Sequence, residues 1–600
     1  IARSILQLQE RQRVRVIVRP DAYGRFVSCL IYMPRDRFNT DIRQEVQEIL
    51  SNLFHATEMD FSVWLTESVL ARLHLILHLP PGKLPQYDLA DIEKRIARTI
   101  LSWKDELHSA LIREYGEEKG NQLLQRYGNS FPASYQGDYS ADVAAIDIHK
   151  LESLHEGIDL GMALYHPVEA PAEKIRFKLF HSEEPLSLSL LLPILENMGL
   201  KVIDERPHRL RPGNRPMVWL HDVGMVYAHG GQLDTEQVRD IFQDAFVRVW
   251  YGVVENDGLN ALVLRARLDW RQVVVIRSCV KYLKQTGFPF SQSYMEQALV
   301  DHPQIARMLV DLFLVRFDPE GQAEAAERSE RICDAIQRSL DDVPTLDADR
   351  ILRRLFVLIQ AMLRTNYFQT AGGQVPRAYL SFKLAPGQIP DLPNPQPQYE
   401  IFVYSPQVEG VHLRGGKVAR GGIRWSDRLE DFRTEIFGLM KAQMVKNAVI
   451  IPVGAKGGFI VKQNLRQLDR EAVNQKVVAC YSTFIRGLLD LTDNLVQDEL
   501  VPPPQVVCYD EPDPYLVVAA DKGTATFSDT ANAIAREYNF WLDDAFASGG
   551  STGYDHKKMG ITARGAWESV KRHFRELGKD IQQADFTVAG IGDMSGDVFG

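Results

Sequence analysis

The chain has few cysteines and no long apolar run, and both absences exclude classes of protein. Its five cysteines are far apart and form no Cys-x-x-Cys pair, which argues against a disulfide framework and a structural zinc site. They are Cys29, Cys279, Cys333, Cys480 and Cys508. The most apolar stretch, residues 186–194, is interrupted by serines and is shorter than the roughly 18 residues that a membrane helix needs. We therefore expect reduced thiols, a cytoplasmic location, no membrane segment and no metal.

An excess of basic residues is absent as well. The formal net charge is -10, so the chain lacks the electrostatic footprint of a nucleic-acid-binding protein. The chain begins Ile-Ala-Arg, without an initiator methionine or a secretory signal, and Gly600 falls inside a glycine motif, which predicts a piece of a longer protein. Its 600 residues, with 45% hydrophobic and 25% charged, predict about three to five ordinary globular domains.

The first 370 residues predict two small α+β modules separated by helices. In residues 1–90, alternating apolar positions predict strands at 14–18, 26–33, 61–66 and 71–79, and helical spacing predicts a helix at 41–54. Residues 91–165 are charge-rich and helix-compatible, as expected of a helical linker. Residues 166–270 predict the βαββαβ order of ferredoxin-like folds, with strands at 175–180, 201–209, 217–227 and 261–268 and helices at 186–198 and 235–249. Residues 271–370 predict a helical connector.

Residues 420–458 gather three cations beside glycines, as a small anionic substrate would require. The stretch reads RGGIRWSDRLEDFRTEIFGLMKAQMVKNAVIIPVGAKGG and contains Arg420, Lys446 and Lys456. A predicted helix, Asp431 to Asn447, places Gln443 and Lys446 on one face. A predicted buried strand at 449–452 then leads into a glycine-rich turn, where Lys456 could be held in a narrow pocket. Taken alone, such a lysine is more often a surface turn residue, and GAKGGF fails the spacing of an ATP-binding phosphate loop.

Two further segments suggest chemistry. Asp521 follows the apolar run 516–520, where the chain turns; carboxylates there usually cap a helix, and Asp529 is a second candidate for that cap. A short β-branched strand from Phe586 then runs into a GxGxxxG motif, whose backbone could approach a pyrophosphate. Its glycines are Gly590, Gly592 and Gly596.

The motifs RGGIRWSDR, DFRTE, LMKAQ followed by VKNA, and GAKGGF occur in this order and resemble those of glutamate dehydrogenases, most closely the large NAD-dependent bacterial type. The resemblance is dense from about residue 371 onward. It implies a multidomain chain in which α+β ACT-like regulatory modules and a helical connector precede an α/β amino-acid dehydrogenase catalytic domain. That domain would occupy residues 371–575, and residues 576–600 would start a Rossmann NAD-binding domain.

The same resemblance implies roles for single residues. Gln443 and Lys446 would bind the substrate α-carboxylate. Arg420, with Gly421 and Gly422, would bind the distal carboxylate, although the small hexameric enzymes have lysine there and Lys417 is a competitor. A buried cation at this site would disfavour aliphatic substrates.

Lys456 would activate water, with a pKa lowered by burial and by neighbouring cations, and Asp521 would relay protons. Thr562 would approach the nicotinamide, although residues 559–566 could equally be the ordinary start of a helix.

The expected activity is NAD-dependent oxidative deamination of L-glutamate to 2-oxoglutarate and ammonium, by a homo-oligomer that a small-molecule effector regulates at its ACT-like modules. The preference for NAD over NADP comes from the resemblance alone. Two alternatives remain: a dehydrogenase for an apolar amino acid, and a ligand-sensing or assembly protein whose dehydrogenase domain is vestigial.

Overall fold

The structure is a computed structural model that describes residues 14–65, 68–80, 84–154, 158–167, 170–171, 173–231, 233–373, 375–446, 453–521, 523–524, 526–553 and 556–589. The chain forms two compact units. The first comprises residues 1–163, 177–186 and 205–223, and the second comprises residues 164–176, 187–204 and 224–600. None of the helices in the described ranges is long and apolar enough to cross a membrane.

The first module is a four-stranded antiparallel sheet covered by two helices. Its elements are β1 (Arg15–Pro20), β2 (Phe26–Pro34), a 3-10 turn (Arg35–Arg37), α1 (Thr40–Phe54), β3 (Glu58–Trp64), β4 (Leu70–His78) and α2 (Leu89–Ile100). The strand order is β1-β2-β4-β3. The predicted strands and helix are confirmed. Helix α2 adds to them, because Ile92, Ile96 and Ile100 lie in the same core as Val46 and Leu50.

Four helices follow, as the charge-rich sequence predicted. They are α3 (Trp103–Tyr115), α4 (Glu117–Tyr127), α5 (Ala133–Asp138) and α6 (Ala141–Ser153). Helix α3 begins at a capping box in which Ser102 and Asp105 bond each other's backbone N–H groups. These helices share a core that includes Leu107, Tyr135 and Ile148.

The second module differs from its predicted order. Its elements are β5 (Leu160–Tyr165), β6 (Lys174–Ser182), α7 (Leu188–Asn197), β7 (Leu200–Leu210), β8 (Val218–Tyr227) and α8 (Thr235–Trp250), with strand order β5-β6-β8-β7. The order is therefore ββαββα rather than βαββαβ. The predicted strand Ala261–Leu268 is wrong, since a 3-10 turn (Gly258–Ala261) and α9 (Leu262–Arg265) occupy it. Leu262, Val263 and Leu264 are all buried, and a short apolar run buried on all sides does not distinguish strand from helix.

The predicted helical connector is present. It consists of α10 (Trp270–Gln285), α11 (Gln292–Asp301), α12 (Pro303–Phe317), a 3-10 turn (Gln322–Glu324), α13 (Ala325–Asp341) and α14 (Leu346–Gln360). The helical connector was expected to run to residue 370, but β9 (Met362–Thr365) already belongs to the next sheet.

That sheet has nine strands and is half antiparallel and half parallel. Its members after β9 are β12 (Leu380–Leu384), β13 (Tyr399–Tyr404), β14 (Val408–Arg414), β15 (Ala419–Arg420), β16 (Gly422–Trp425), β17 (Val453–Val461), β20 (Val518–Ala520) and β21 (Ala547–Ser548). The order is β21-β20-β16-β17-β14-β13-β12-β9, and β15 also pairs with β17. Strands β17, β16, β20 and β21 are parallel, so their carboxyl ends meet at one edge, where α/β folds bind ligands.

The remaining elements surround this sheet. They are the hairpins β10 (Thr370–Ala371) with β11 (Val375–Pro376) and β18 (Asn494–Val496) with β19 (Glu499–Val501), 3-10 turns at Pro386–Gln388 and Asp543–Ala545, α15 (Phe432–Lys446), α16 (Arg470–Leu489), α17 (Ser528–Glu537), α18 (His556–Met559) and α19 (Ile561–Glu576). Helices α16 and α17 share a core with one face of β17, in which Phe459 contacts Phe484.

Candidate active site

Lys456 lies in the middle of strand β17, not in the tight turn that its flanking glycines predicted. It is paired with Leu413 of β14 on one side, and its neighbour Gly457 is paired with Ile423 of β16 on the other. Both edges of this glycine-rich segment are thus hydrogen-bonded to neighbouring strands. The turn prediction is wrong because those partners, distant in sequence, set the conformation. The predicted strand at 449–452 lies outside the described residues.

The glycines let helix α15 approach β17 closely. Alternation along the strand puts Gly454, Lys456 and Gly458 on one face. A Cβ atom at Gly454 would lie 2.6 Å from the Cβ of Gln443, and one at Gly458 would lie 2.6 Å from Cγ1 of Ile436, both on α15. The helix therefore covers the face from which Lys456 projects, and only 6% of the lysine side chain is exposed.

The Lys456 ammonium donates a hydrogen bond to Oδ2 of Asp521. Asp521 directly follows β20, which runs parallel to β16 and brings the carboxylate to the carboxyl edge of the parallel strands. Its backbone N–H donates to Oγ1 of Thr524 at 3.1 Å, and that hydroxyl donates to the carbonyl of Ile423 at 2.7 Å. Two residues 65 positions apart thus meet where β20 ends, beside the middle of β17.

Arg424, which the sequence interpretation did not single out, extends this pair into a row of four charges. Its Nε lies 3.3 Å from Oδ2 of Asp521 and its Nη1 lies 2.9 Å from Oε1 of Glu435 on α15. The hydroxyl of Ser426 donates to the other oxygen of Glu435 at 2.6 Å. The order Lys456, Asp521, Arg424, Glu435 alternates in sign. Arg424 stands only four residues from Arg420 in the same motif, but its spacing did not indicate which of the two faces inward.

Burial and these neighbours tune the lysine. Burial lowers the pKa of Lys456 from its ordinary value of 10.5, the bond to Asp521 opposes this, and the nearby Arg424 cation lowers it further. Burial would raise the pKa of Glu435, but the hydrogen bonds from Ser426 and Arg424 outweigh it and lower the pKa. The sequence predicted that several neighbouring cations would lower this pKa. Among the described side chains, the cation that does so is Arg424. An amine with a lowered pKa beside a carboxylate is suited to proton transfer.

Family models of glutamate dehydrogenase domains match most of the chain. The family model described as bacterial NAD-glutamate dehydrogenase, catalytic domain, matches residues 335–600. Models of the glutamate dehydrogenase ACT2 and ACT3 domains match residues 15–104 and 159–238, and those of helical motifs 2 and 3 match residues 110–154 and 254–319.

The chain belongs to the bacterial NAD-glutamate dehydrogenase family.

Similar curated proteins carry the name NAD-specific glutamate dehydrogenase. Those of Halomonas elongata, Pseudomonas aeruginosa and Mycobacterium tuberculosis are 51%, 50% and 45% identical over 100% of this chain. The matched regions amount to 37%, 37% and 38% of these relatives, so the chain spans little more than a third of their length.

The glutamate dehydrogenase motif residue Arg420 is exposed, which contradicts the buried cation that the substrate argument assumed. It ends the two-residue strand β15, and its Nη2 lies 3.5 Å from Oγ of Ser548. Close packing explains why glycines occupy the two positions beside it. A Cβ at Gly421 would collide with the carbonyl of Ala455, and one at Gly422 would lie 3.2 Å from the Cβ of Asp521. The competitor Lys417 pairs with Glu511 at the surface.

The predicted pair Gln443 and Lys446 is described only in part. Helix α15 is described as far as Lys446, and Gln443 is half-buried where the helix passes Gly454. The side chain of Lys446 lies outside the described part of the structure. Their shared contact with a carboxylate therefore stays a prediction.

The structure describes only some of the residues that were predicted to bind the nucleotide. Thr562 lies in the first turn of α19 with its side chain exposed. Phe586 to Ala589 was predicted as a strand, but no described strand pairs with it and Phe586 packs on Trp567 and Phe574 instead. Gly590, Gly592 and Gly596 lie outside the described residues. Asp529 does not cap its helix; it accepts hydrogen bonds from the backbone N–H (2.7 Å) and hydroxyl (3.0 Å) of Ser551.

A buried ionic network, also missed, fixes the chain that leads into β20. Three cations, on strands β9, β12 and β14 of the sheet, bind three carboxylates, and these residues are Arg364, Lys383, Arg414, Asp493, Asp510 and Asp513. Lys383 lies 2.5 Å from Asp510 and 2.6 Å from Asp513. Burial would raise the pKa of Asp513, but Arg414 and then Lys383 outweigh it and lower the pKa to about 2. The network anchors the acidic loop eight residues before Asp521.

Proposed function

We propose that the protein containing this chain catalyses the NAD-dependent oxidative deamination of L-glutamate to 2-oxoglutarate and ammonium. The observation that carries the proposal is the buried Lys456 ammonium, in the middle of β17, hydrogen-bonded to Asp521 at the carboxyl end of β20. Family membership and the names of the three relatives support glutamate as the substrate and NAD as the cofactor.

The two residues would divide the proton transfers between them. The reaction would consume glutamate, water and NAD and yield 2-oxoglutarate, ammonium, NADH and a proton, and NAD, when bound, would supply the acceptor for the hydride of Cα. Lys456, once deprotonated, would accept a proton from the water that adds to the oxidised carbon. Asp521 would deliver a proton to the substrate nitrogen as the C–N bond breaks. Proton transfer along the hydrogen bond between the two side chains would return both to their starting protonation states after each turnover.

The substrate and cofactor contacts rest on the family motifs. Gln443 and Lys446 would bind the α-carboxylate, and the exposed Arg420, with Gly421 and Gly422 beside it, would bind the distal carboxylate. We assign the dinucleotide to the loop after β21, where Gly549 has φ +87° and the nearest atom to an added Cβ would be Oγ of Ser528, at 3.8 Å. This loop lies at the ligand-binding edge of the sheet. Thr562 would approach the nicotinamide, and Gly590, Gly592 and Gly596 would bind the pyrophosphate.

The test is NADH formation by the full-length protein with glutamate, leucine and valine, in the wild type and the Lys456→Ala variant. Glutamate should be the preferred substrate, and the variant should lose about 10²- to 10⁴-fold in kcat. Lys441→Ala, on helix α15, is the matched control and should keep its activity. Turnover of leucine without glutamate would refute the substrate, and full activity of Lys456→Ala would refute the mechanism.

We also propose a cytoplasmic, homo-oligomeric enzyme regulated through its ACT domains. Two matched ACT models and the duplicated ββαββα order support a regulatory role. Titration of amino acids and organic acids against activity, with and without residues 159–238, tests it. A response that survives the deletion would remove this module as the sensor.

A further inference from the structure

We propose that Arg424 and Glu435 are a positioning pair, in which Glu435 holds the Arg424 guanidinium and Arg424 fixes the Asp521 carboxylate against Lys456. The inference rests on the function proposed above. It assigns a task to two residues that neither the motifs nor the comparisons with known proteins distinguish.

Asp521 needs an external support. It is the first residue after a three-residue strand, 21% of its side chain is exposed, and its carboxylate can rotate about two bonds. Arg424 contacts both of its oxygens, with Nε 3.3 Å from Oδ2 and Nη2 3.5 Å from Oδ1. Two contacts from one planar group fix the plane of the carboxylate, which a single point charge cannot do.

Arg424 is itself fixed from the other side. Its remaining nitrogen, Nη1, donates to Oε1 of Glu435 at 2.9 Å, so all three nitrogens of the guanidinium contact an acceptor. Glu435 is bound in turn by the Ser426 hydroxyl at 2.6 Å and stands in the first turn of α15, the helix that covers Lys456. The orientation of Asp521 is thereby tied to both β16 and α15.

The charged groups around Lys456 allow a measurement to distinguish this positioning role from a purely structural one. In the described part of the chain they are Asp521 after β20, Arg424 on β16 and Glu435 on α15. Arg424 favours the neutral amine, whereas Glu435 favours the ammonium. Removing one charge or the other should therefore move the titration of Lys456 in opposite directions.

The experiment measures kcat for glutamate against pH in the full-length enzyme. Arg424→Gln should move the acid-side midpoint to higher pH, and Glu435→Gln should move it to lower pH. Because a misplacement of about 1 Å can cost roughly 10²-fold, each variant should also lose about ten- to a hundredfold in kcat at its optimum. Arg424→Lys keeps the charge without the planar fork, so it should restore the midpoint but not kcat.

Asp431→Asn is the matched control. It breaks the exposed Arg428–Asp431 pair next to the same helix, and it should change neither kcat nor the profile. Equal midpoints in Arg424→Gln, Glu435→Gln and the wild type, with glutamate turnover intact, would overturn the positioning role alone. A wild-type enzyme without glutamate turnover would instead refute the proposed function.

Discussion

Replacing Asp521 by asparagine tests the coupling between the carboxylate and the buried lysine. The substitution keeps the shape of the side chain and removes one negative charge. In the wild type, the two cations Lys456 and Arg424 are balanced by Asp521 and Glu435. In the variant, three of these charges remain, and the net charge of the cluster becomes positive whenever Lys456 is protonated.

The magnitude follows from burial. Breaking a fully buried ion pair by removing one partner costs about 3–5 kcal/mol. Asp521 is partly exposed, and the lysine can release its proton, so we expect the free energy of unfolding to fall by about 1–3 kcal/mol near neutral pH.

The direction in which stability changes with pH follows from the difference between the folded-state and unfolded-state pKa of Lys456. The folded-state pKa of Lys456 lies below 10.5, so the unfolded chain binds more protons and stability rises with pH in that window. Because Asp521 opposes the lowering, the variant has a still lower folded-state pKa. The destabilisation should be greatest where Lys456 is protonated and the wild-type carboxylate is ionised, and it should shrink once the pH passes the folded-state pKa of the lysine.

Two assays on the full-length protein check this. The thermal midpoint of Asp521→Asn should approach that of the wild type as the pH rises, and kcat should fall about 10²- to 10⁴-fold. Adding Lys456→Met, which removes the unpaired charge, should recover stability at acidic pH without recovering turnover. A pH-independent loss of stability, or turnover near the wild-type value, would refute the coupling.

Two further predictions concern the packing around the site. Gly454→Ala places a Cβ 2.6 Å from the backbone N of Met444, which rotation of a side chain cannot relieve, so the free energy of unfolding should fall by about 1–3 kcal/mol and the thermal midpoint with it. The control Gly438→Ala lies in helix α15, against which Gly454 packs, and a Cβ there would have nothing within 4 Å, so it should stabilise by about 0.5–1 kcal/mol; equal effects of the two substitutions would contradict the close approach. Lys383→Met leaves two buried carboxylates short of a partner and should cost about 3–5 kcal/mol in urea unfolding. The exposed Lys417→Met should leave the unfolding midpoint unchanged, and a similarly mild effect of Lys383→Met would contradict the anchoring network.

The local pattern of apolar and polar residues predicted the elements in which buried and exposed positions alternate. Strands β2 and β4 begin and end within a residue of their expected bounds, and helix α15 begins within a residue of its expected start, because buried and more exposed positions alternate along each of them. The strand prediction failed at residues 261–268, where the apolar run is buried on all sides. It also failed at Lys456, where glycines indicated a turn but the neighbouring strands impose an extended conformation.

The sequence predicted several residues of the site but not which of them contact one another. The motif resemblance identified Lys456 and Asp521, which the structure brings together. It could not show that Arg420 lies exposed while Arg424 binds Asp521, because strand register decides which arginine faces the site. The network around Lys383 joins residues more than 100 positions apart, and no local pattern encodes that distance.

The central claim is that the Lys456 amine is buried and easily deprotonated. Competitive labelling with acetic anhydride, read by mass spectrometry of the peptide that contains Lys456 in the full-length protein, measures its reactivity against pH. The account predicts a titration midpoint below 10.5 that falls further in Asp521→Asn. A midpoint at or above 10.5, unchanged by that substitution, would contradict it.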